Sequence, residues 1–528
     1  MDAIQLNPTS TETSARGEGL HTAGLDPTSA TPLTWQIGVS LPALEVEDLP
    51  TPEQVFNVKR IGLEELVLLV LGPGVIAAGL SIGSGEWLLA PLAIGQFGFQ
   101  GVFWVGLVSI ILQVCYNVEL ARYTLATGEP PVVGFGRTPP GYWIWVPLAL
   151  FILFIAFLMG GWAVEAGASL LSLVTGRSPG AADLGTARLI GIGLLISMFF
   201  LLTLGRKIER TMEFIQFAFL PYILLGLLMV TLVIVPFDYL WTTLTAFIIP
   251  SPPPQGVDFT LLGAVAGFAA LASGLNFMFI GYYRDKGYGM GARAGFLAGL
   301  VGGKAGTLSP VGKTFPEDER NAAIWKRWFR YLLIDQWGIY FTGVVLGMAL
   351  PSILYGYLLS TSGAGVADAT SIVGALALLL GQRYGQLLTG WALVLGFVIL
   401  YSTQLAVLEL LARNLTDVLH SLSRAFRLSV AGDVRRFYYP TLLVLVLVIS
   451  VVIHLGMPLQ MNVFSANLSN LAAMIFPLMV IYLNRRLPRP ARSSTWSIIL
   501  LVANVLFFGF FFINFVLVEL TGNVLMRF

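Results

Sequence analysis

The sequence predicts an all-α, polytopic membrane protein of about eleven transmembrane helices, and three observations carry that reading. Hydrophobic residues make up 56% of the 528 and charged ones only 11%, whereas a soluble domain averages about 25% charged residues. The apolar residues fall in blocks of roughly 20, the length that crosses about 30 Å of hydrocarbon as a helix. The basic residues between those blocks then sort onto one side of the membrane, as they do in inserted proteins.

Residues 1–60 are polar, rich in Ser, Thr, Pro and Gly, and show neither helical nor strand period. They lack the short apolar core of a signal peptide, and a disordered cytoplasmic tail is predicted. Apolar blocks follow near 64–97, 100–126, 142–175, 186–205, 210–235, 258–283, 328–358, 385–411, 440–457, 465–484 and 495–519. With the N-terminus in the cytoplasm, all of the 30 lysines and arginines fall inside except Arg177, Arg188, Arg383 and Arg527. One span more or fewer scrambles this asymmetry, so the C-terminus is placed outside. Residues 61–240 and 258–484 form two consecutive five-span halves, and 495–528 add an eleventh helix.

Several function classes drop out at once. The net charge of +1 and the confinement of cations to short loops give no sign of nucleic-acid binding. One cysteine, Cys115, excludes an internal disulfide and a multi-cysteine metal site, and His21, His420 and His454 do not cluster in sequence. The long loop 284–330 is glycine-rich, yet its Gly312-Lys313-Thr314 lacks the upstream glycine of a phosphate loop. No nucleophile–base pair marks an intramembrane enzyme.

Spans 1 and 6 interrupt their own helices. Span 1 reads LGPGVIAAGLSIGSGEWLLAPLAIGQFG and span 6 reads LLGAVAGFAALASGLNFMFIGYYRDKG. Each carries a Ser-Gly pair in mid-span, Ser84-Gly85 and Ser273-Gly274, followed by Glu86 or Asn276. Interruptions in corresponding positions of two halves point to a transporter built from inverted repeats, with its site at the midplane. Backbone freed by unwinding survives in hydrocarbon only when buried in protein or facing a watery cavity. A carboxylate near the bilayer centre costs roughly 2.5–3.5 kcal/mol on insertion scales and marks a site. Glycine-mediated helix packing is the plainer account of Gly72, Gly74 and Gly79.

At these residues the chain resembles the Nramp family of divalent-metal transporters. The likeness runs through GPGVIAAGLSIGSGEWLLAPLAIGQFGFQGVFW and LARYTLATG, and returns in GRKIERTMEF, LIDQWGIYFTG and LSNLAAMIFPLMVIYLNRRLP. It implies a leucine-transporter-like fold with two inverted five-helix repeats, alternating access and proton coupling. Eleven spans suit the family's prokaryotic members, which implies a bacterial-type inner (cell) membrane; a monomer is expected. The family's metal-binding Asp-Pro-Gly-Asn of helix 1 aligns with Gly83, Ser84, Gly85 and Glu86. Its Met-Pro-His of helix 6 aligns with Gly274, Leu275 and Asn276, and a helix-10 glutamine with Asn470. Glu165 falls one residue out of register with the proton-handling acid of span 3, and Asp335 matches an aspartate of span 7.

These departures remove the soft ligand and leave one carboxylate with an amide or two, chemistry suited to Mg, Ca or Mn rather than later metals. Glu86 and Asn276, with freed carbonyls near Gly83 and Leu271, form the candidate cation site. Glu86, Glu165, Glu119, Asp335 and Gln404 are the candidates for a proton or coupling path. For Glu119 an i,i+3 pair with Arg122 is the simpler account, and for Gln404, with Ser402 and Thr403, interhelical hydrogen bonding. The predicted function is secondary transport of a cation, a hard divalent metal with proton coupling, and no resident cofactor is called for. Cation-coupled symport of a small organic solute, and a receptor or scaffold that kept the fold without transport, are the alternatives.

Overall fold

The computed structural model describes residues 45–83, 85–204, 207–271, 274–297, 308–362, 372–430 and 433–521. Ser84 and Ser273, both expected in the site, lie outside these residues. Among the described residues, nine helices are long and apolar enough to cross a membrane. Span 1 is a bent pair, Gly72–Ser81 and Gly85–Phe97, kinked by 40° at its break. Span 6 crosses in short pieces, Phe259–Phe268, then Leu275–Phe279 and Gly281–Lys286. With the bent pair counted as one span ten helices qualify among the described residues, and Phe259–Phe268, apolar but shorter, stands in the sixth apolar block.

The remaining spans are Phe103–Thr127 (span 2), Leu184–Thr203 (span 4), Ile208–Ile234 (span 5), Gln386–Leu422 (span 8), Arg435–Val452 (span 9), Pro458–Asn484 (span 10) and Thr495–Thr521 (span 11). Span 3 is itself divided, Tyr142–Phe157 and Gly161–Thr175, where Gly160 takes φ 68°, a left-handed turn that glycine makes without Cβ strain. Span 7 runs unbroken over Glu319–Ser362. At about 1.5 Å per residue it is roughly 66 Å long, twice the hydrocarbon thickness, so its first turns stand outside the bilayer. Span 8 is the most buried of the long helices and span 4 the least, which puts span 8 at the centre and span 4 against lipid.

Two expectations change. The loop expected over 284–330 closes into span 7 earlier, because Asp318 caps Glu319–Leu333 through the Asn321 amide at 2.7 Å. That helix is amphipathic and too polar to read as a span by hydropathy. The tail expected over 1–60 is folded at its end. Glu45–Val46 pairs in parallel with Lys313–Thr314, and the Trp328 indole donates to the Pro50 carbonyl at 2.7 Å. Thr51 and Gln54 then form a reciprocal capping box on Pro52–Phe56, the Thr-x-x-Gln signature of a helix start. Composition averaged over 60 residues hides that local signal.

Candidate functional site

The two breaks meet. A Cβ on Gly85 would lie 2.1 Å from the Phe268 carbonyl oxygen, so only glycine lets the second half of span 1 approach the end of span 6's first half. Gly85→Ala is expected to push the spans apart and cost about 1–3 kcal/mol, as overpacking does; a lowered thermal midpoint of the detergent-solubilised protein checks this.

Glu86 is fully buried at that meeting point. One carboxylate oxygen accepts from the Gly83 amide at 3.2 Å and the other from the Ala270 amide at 2.7 Å. A single side chain therefore ties the break of span 1 to the break of span 6. Ala270 has φ 67°, a conformation that costs a non-glycine residue roughly 1–2 kcal/mol, and its bond to Glu86 offsets that strain. Gly83 faces Thr403 of span 8, whose hydroxyl would be 2.9 Å from a Cβ there.

Side chains from neighbouring spans satisfy the unwound backbone. Thr403 donates to the Leu80 carbonyl at 3.2 Å. Gln113 of span 2 donates to the Ala269 carbonyl and accepts from the Leu271 amide at 3.2 Å. Ser109, one turn earlier, donates to the Ala266 carbonyl at 2.6 Å. Asn276 donates to the Asn117 side-chain Oδ1 at 2.7 Å, while its own Oδ1 has no hydrogen-bond partner among the described residues. The Tyr340 hydroxyl of span 7 stands among Ser81, Asn117, the Leu271 backbone and Glu86. Leu271 and Gly274 lie at the break, where Ser109, Gln113, Asn117 and Tyr340, not singled out in the sequence, join them. Ser109, Gln113 and Asn117 recur every four residues in an apolar helix, which is one polar face and the signal that could have found three of them.

One side of the break is aromatic. Phe157, Trp162 and Phe268 stack with centroids 6.2, 6.4 and 5.5 Å apart, and a Cβ on Gly274 would lie 3.1 Å from the Phe157 ring.

The other candidates occupy different places. Asn470 donates to the Gly263 carbonyl at 3.0 Å, against the first half of span 6 and before the break, which its alignment did not anticipate. Asp335 accepts from the Tyr283 hydroxyl at 2.5 Å, and a Cβ on Gly74 would meet it at 2.5 Å. Nine residues of helix, about 13 Å, separate Gly74 from Gly83, so Asp335 belongs to a second cluster with Lys286 and Glu213, which pair at 2.6 Å. Glu165 is buried in the second half of span 3. Gln404 is buried beside Thr403, with neither amide atom hydrogen-bonded among the described residues. Glu119 grips Arg122 with two bonds of 2.9 Å, the local ion pair.

Among the described residues no three His, Cys, Asp or Glu side chains gather as a metal-holding group. Among the described residues, the oxygens at the breaks include the Glu86 carboxylate, the Asn276 amide oxygen and the Tyr340 hydroxyl. Such a set suits a hard ion that keeps part of its water.

No protein-family model matches the chain, and no curated protein matches it significantly. Solved structures do match. The manganese transporter of Eremococcus coleocola, as a histidine-to-alanine mutant, aligns with TM-score 0.55 and 15% identity over 92% of this chain and 93% of that one. The same transporter in complex with an aromatic bis-isothiourea substituted compound aligns with TM-score 0.53 and 15% identity over 90% of each chain. At this identity the likeness is one of fold: the chain is a multi-pass, all-helical membrane protein of the leucine-transporter architecture.

Proposed function

We propose that the protein is a secondary transporter that carries a cation through the gap between the broken helices 1 and 6 by alternating access. The observation that carries this reading is the Glu86 carboxylate, buried and bonded to backbone amides of both breaks. A carboxylate placed where two half-helices join is the charge a cation or proton needs when it leaves water. Mg²⁺ and Mn²⁺ are the divalent ions this oxygen set favours, and the fold is shared with a transporter described as moving manganese. Proton coupling follows from the same group, since protonation gives one Glu86 oxygen a hydrogen and weakens its hold on one of the two amides.

The test is flux into proteoliposomes, with a fluorescent reporter for Mn²⁺ or Mg²⁺ and a pH dye inside. Saturable uptake of at least one ion with lumenal acidification is expected. Asn276→Ala is expected to raise the half-saturating ion concentration about tenfold, the worth of one hydrogen-bond-scale contact. Uptake no faster than in empty liposomes, for both ions, overturns the cation reading. The stacked Phe157, Trp162 and Phe268 favour a second reading, symport of a small organic solute, because a hydrated ion gains nothing from a ring face. Cation-dependent uptake of an aromatic or apolar solute would select it.

A further inference from the structure

At the membrane face where span 2 ends and spans 7 and 11 begin, the three helices enclose a groove of about 600 Å³. Its charged and hydroxyl side chains gather at the outer end, interleaved with Trp325, Phe329 and Pro490, and apart from Cys115 the deeper lining is apolar. On span 7, Lys326 and Arg330 lie at the outer end, and Leu333 and Trp337 lie deeper. Span 2 runs the opposite way and places Arg122 outermost, with Val118 and Cys115 below it. Span 11 starts with Ser494 and Ser497 and continues to Leu500. Lys326 to Trp337 is eleven residues, about 16 Å of helix, enough for a basic rim at head-group level to stand over a floor within the hydrocarbon.

The rim carries surplus positive charge. The carboxylate that lines it, Glu119, is taken by Arg122, with Ser493 and Asn484 also donating to it. Arg122 is fixed further by lying 4.2 Å from the Phe329 ring centroid. Arg492 donates from Nε to the Leu487 carbonyl at 2.9 Å and comes within 3.9 Å of Glu317, which Arg489 engages at 3.3 Å. Lys326 and Arg330 are exposed and have no carboxylate partner among the described residues.

We propose that this groove is a binding site for an anionic phospholipid, its phosphodiester held by Lys326, Arg330 and Arg492 and one acyl chain lying along Leu333, Trp337 and Leu500. Basic pockets between transmembrane helices bind acidic head groups in this manner. A soluble phosphate satisfies the rim alone and a neutral lipid the floor alone. The joint gradient of charge and polarity fits a molecule that has both. The bound lipid bridges spans 2, 7 and 11.

The test is thermal unfolding of the full chain in neutral detergent. Phosphatidylglycerol, phosphatidylcholine and sn-glycerol 3-phosphate are titrated separately. Phosphatidylglycerol is expected to raise the midpoint saturably, and the other two to leave it unchanged. The double variant Lys326→Gln, Arg330→Gln is expected to need at least tenfold more phosphatidylglycerol for the same shift, whereas Arg320→Gln, exposed on the same helix outside the groove, keeps the wild-type response. Equal shifts from phosphatidylcholine, an equal shift from glycerol phosphate, or an unaltered response of the double variant each overturn the proposal. Native mass spectrometry of protein extracted from membranes with equal amounts of both lipids supplies a readout without variants. Preferential retention of the anionic lipid supports the site, and equal retention refutes it.

Discussion

Glu86→Gln is expected to reduce cation flux in proteoliposomes by about a hundredfold while the protein still folds. Both carboxylate oxygens accept from backbone amides, Gly83 on span 1 and Ala270 on span 6. Glutamine keeps one acceptor but turns an NH2 toward the other amide, leaving a buried donor unmatched at a cost of about 1–3 kcal/mol. It also removes the charge that a cation would meet, and a charge-assisted contact of about 2–3 kcal/mol corresponds to roughly two decades in affinity. Glu86→Asp separates the two effects. Aspartate retains the charge but is one methylene shorter, so it reaches one amide and not both; partial flux with a lowered thermal midpoint is expected. Wild-type flux in Glu86→Gln would remove Glu86 from the transport path.

The largest effect on stability is expected at Arg413. Its side chain is fully buried in span 8, 2.8 Å from Glu409 one turn away and paired with Asp285 of span 6. The guanidinium lies 4.6 Å from the centroid of Tyr282, whose hydroxyl donates to Glu409 at 2.5 Å. Arg413→Leu leaves Glu409 buried with no cation, and Asp285 with Arg284 alone at 2.8 Å. Breaking a buried pair from one side costs about 3–5 kcal/mol, enough to remove most of the folded protein. Size-exclusion chromatography of the solubilised variant is expected to show loss of the monodisperse peak. Arg413→Lys keeps the charge but loses the fork that spans two carboxylates, and an intermediate yield is expected. A normal yield of Arg413→Leu would show that Asp285 and Glu409 are accommodated without it.

The architecture was legible because membrane insertion writes itself into composition along the chain: blocks of apolar residues and the sorting of cations survive averaging. The breaks were legible for a related reason, since Ser-Gly pairs beside Glu86 and Asn276 have no place in an uninterrupted apolar helix. What closes the breaks was not. Thr403 reaches Leu80 across 323 positions and Gln113 reaches Leu271 across 158, and neither partner carries a local mark of the other. Asn470 shows the limit of alignment. It lies on span 10, and the partner it meets is the Gly263 carbonyl, which depends on how spans 6 and 10 cross. The helix of span 7 begins ahead of its apolar block because Glu319–Leu333 is amphipathic, and hydropathy does not mark such a helix.

The side chains that cap the unwound segments have a kinetic consequence. Leu80, Ala266, Ala269 and Leu271 have their partners in Thr403, Ser109 and Gln113, so these four backbone groups are satisfied by the chain itself. On the proposed carrier reading, such a site turns back across the membrane without a replacement ion. Net accumulation from one side, undiminished when the opposite compartment contains no substrate, is the behaviour such a resting state produces, in contrast to an exchanger that stalls until something fills it.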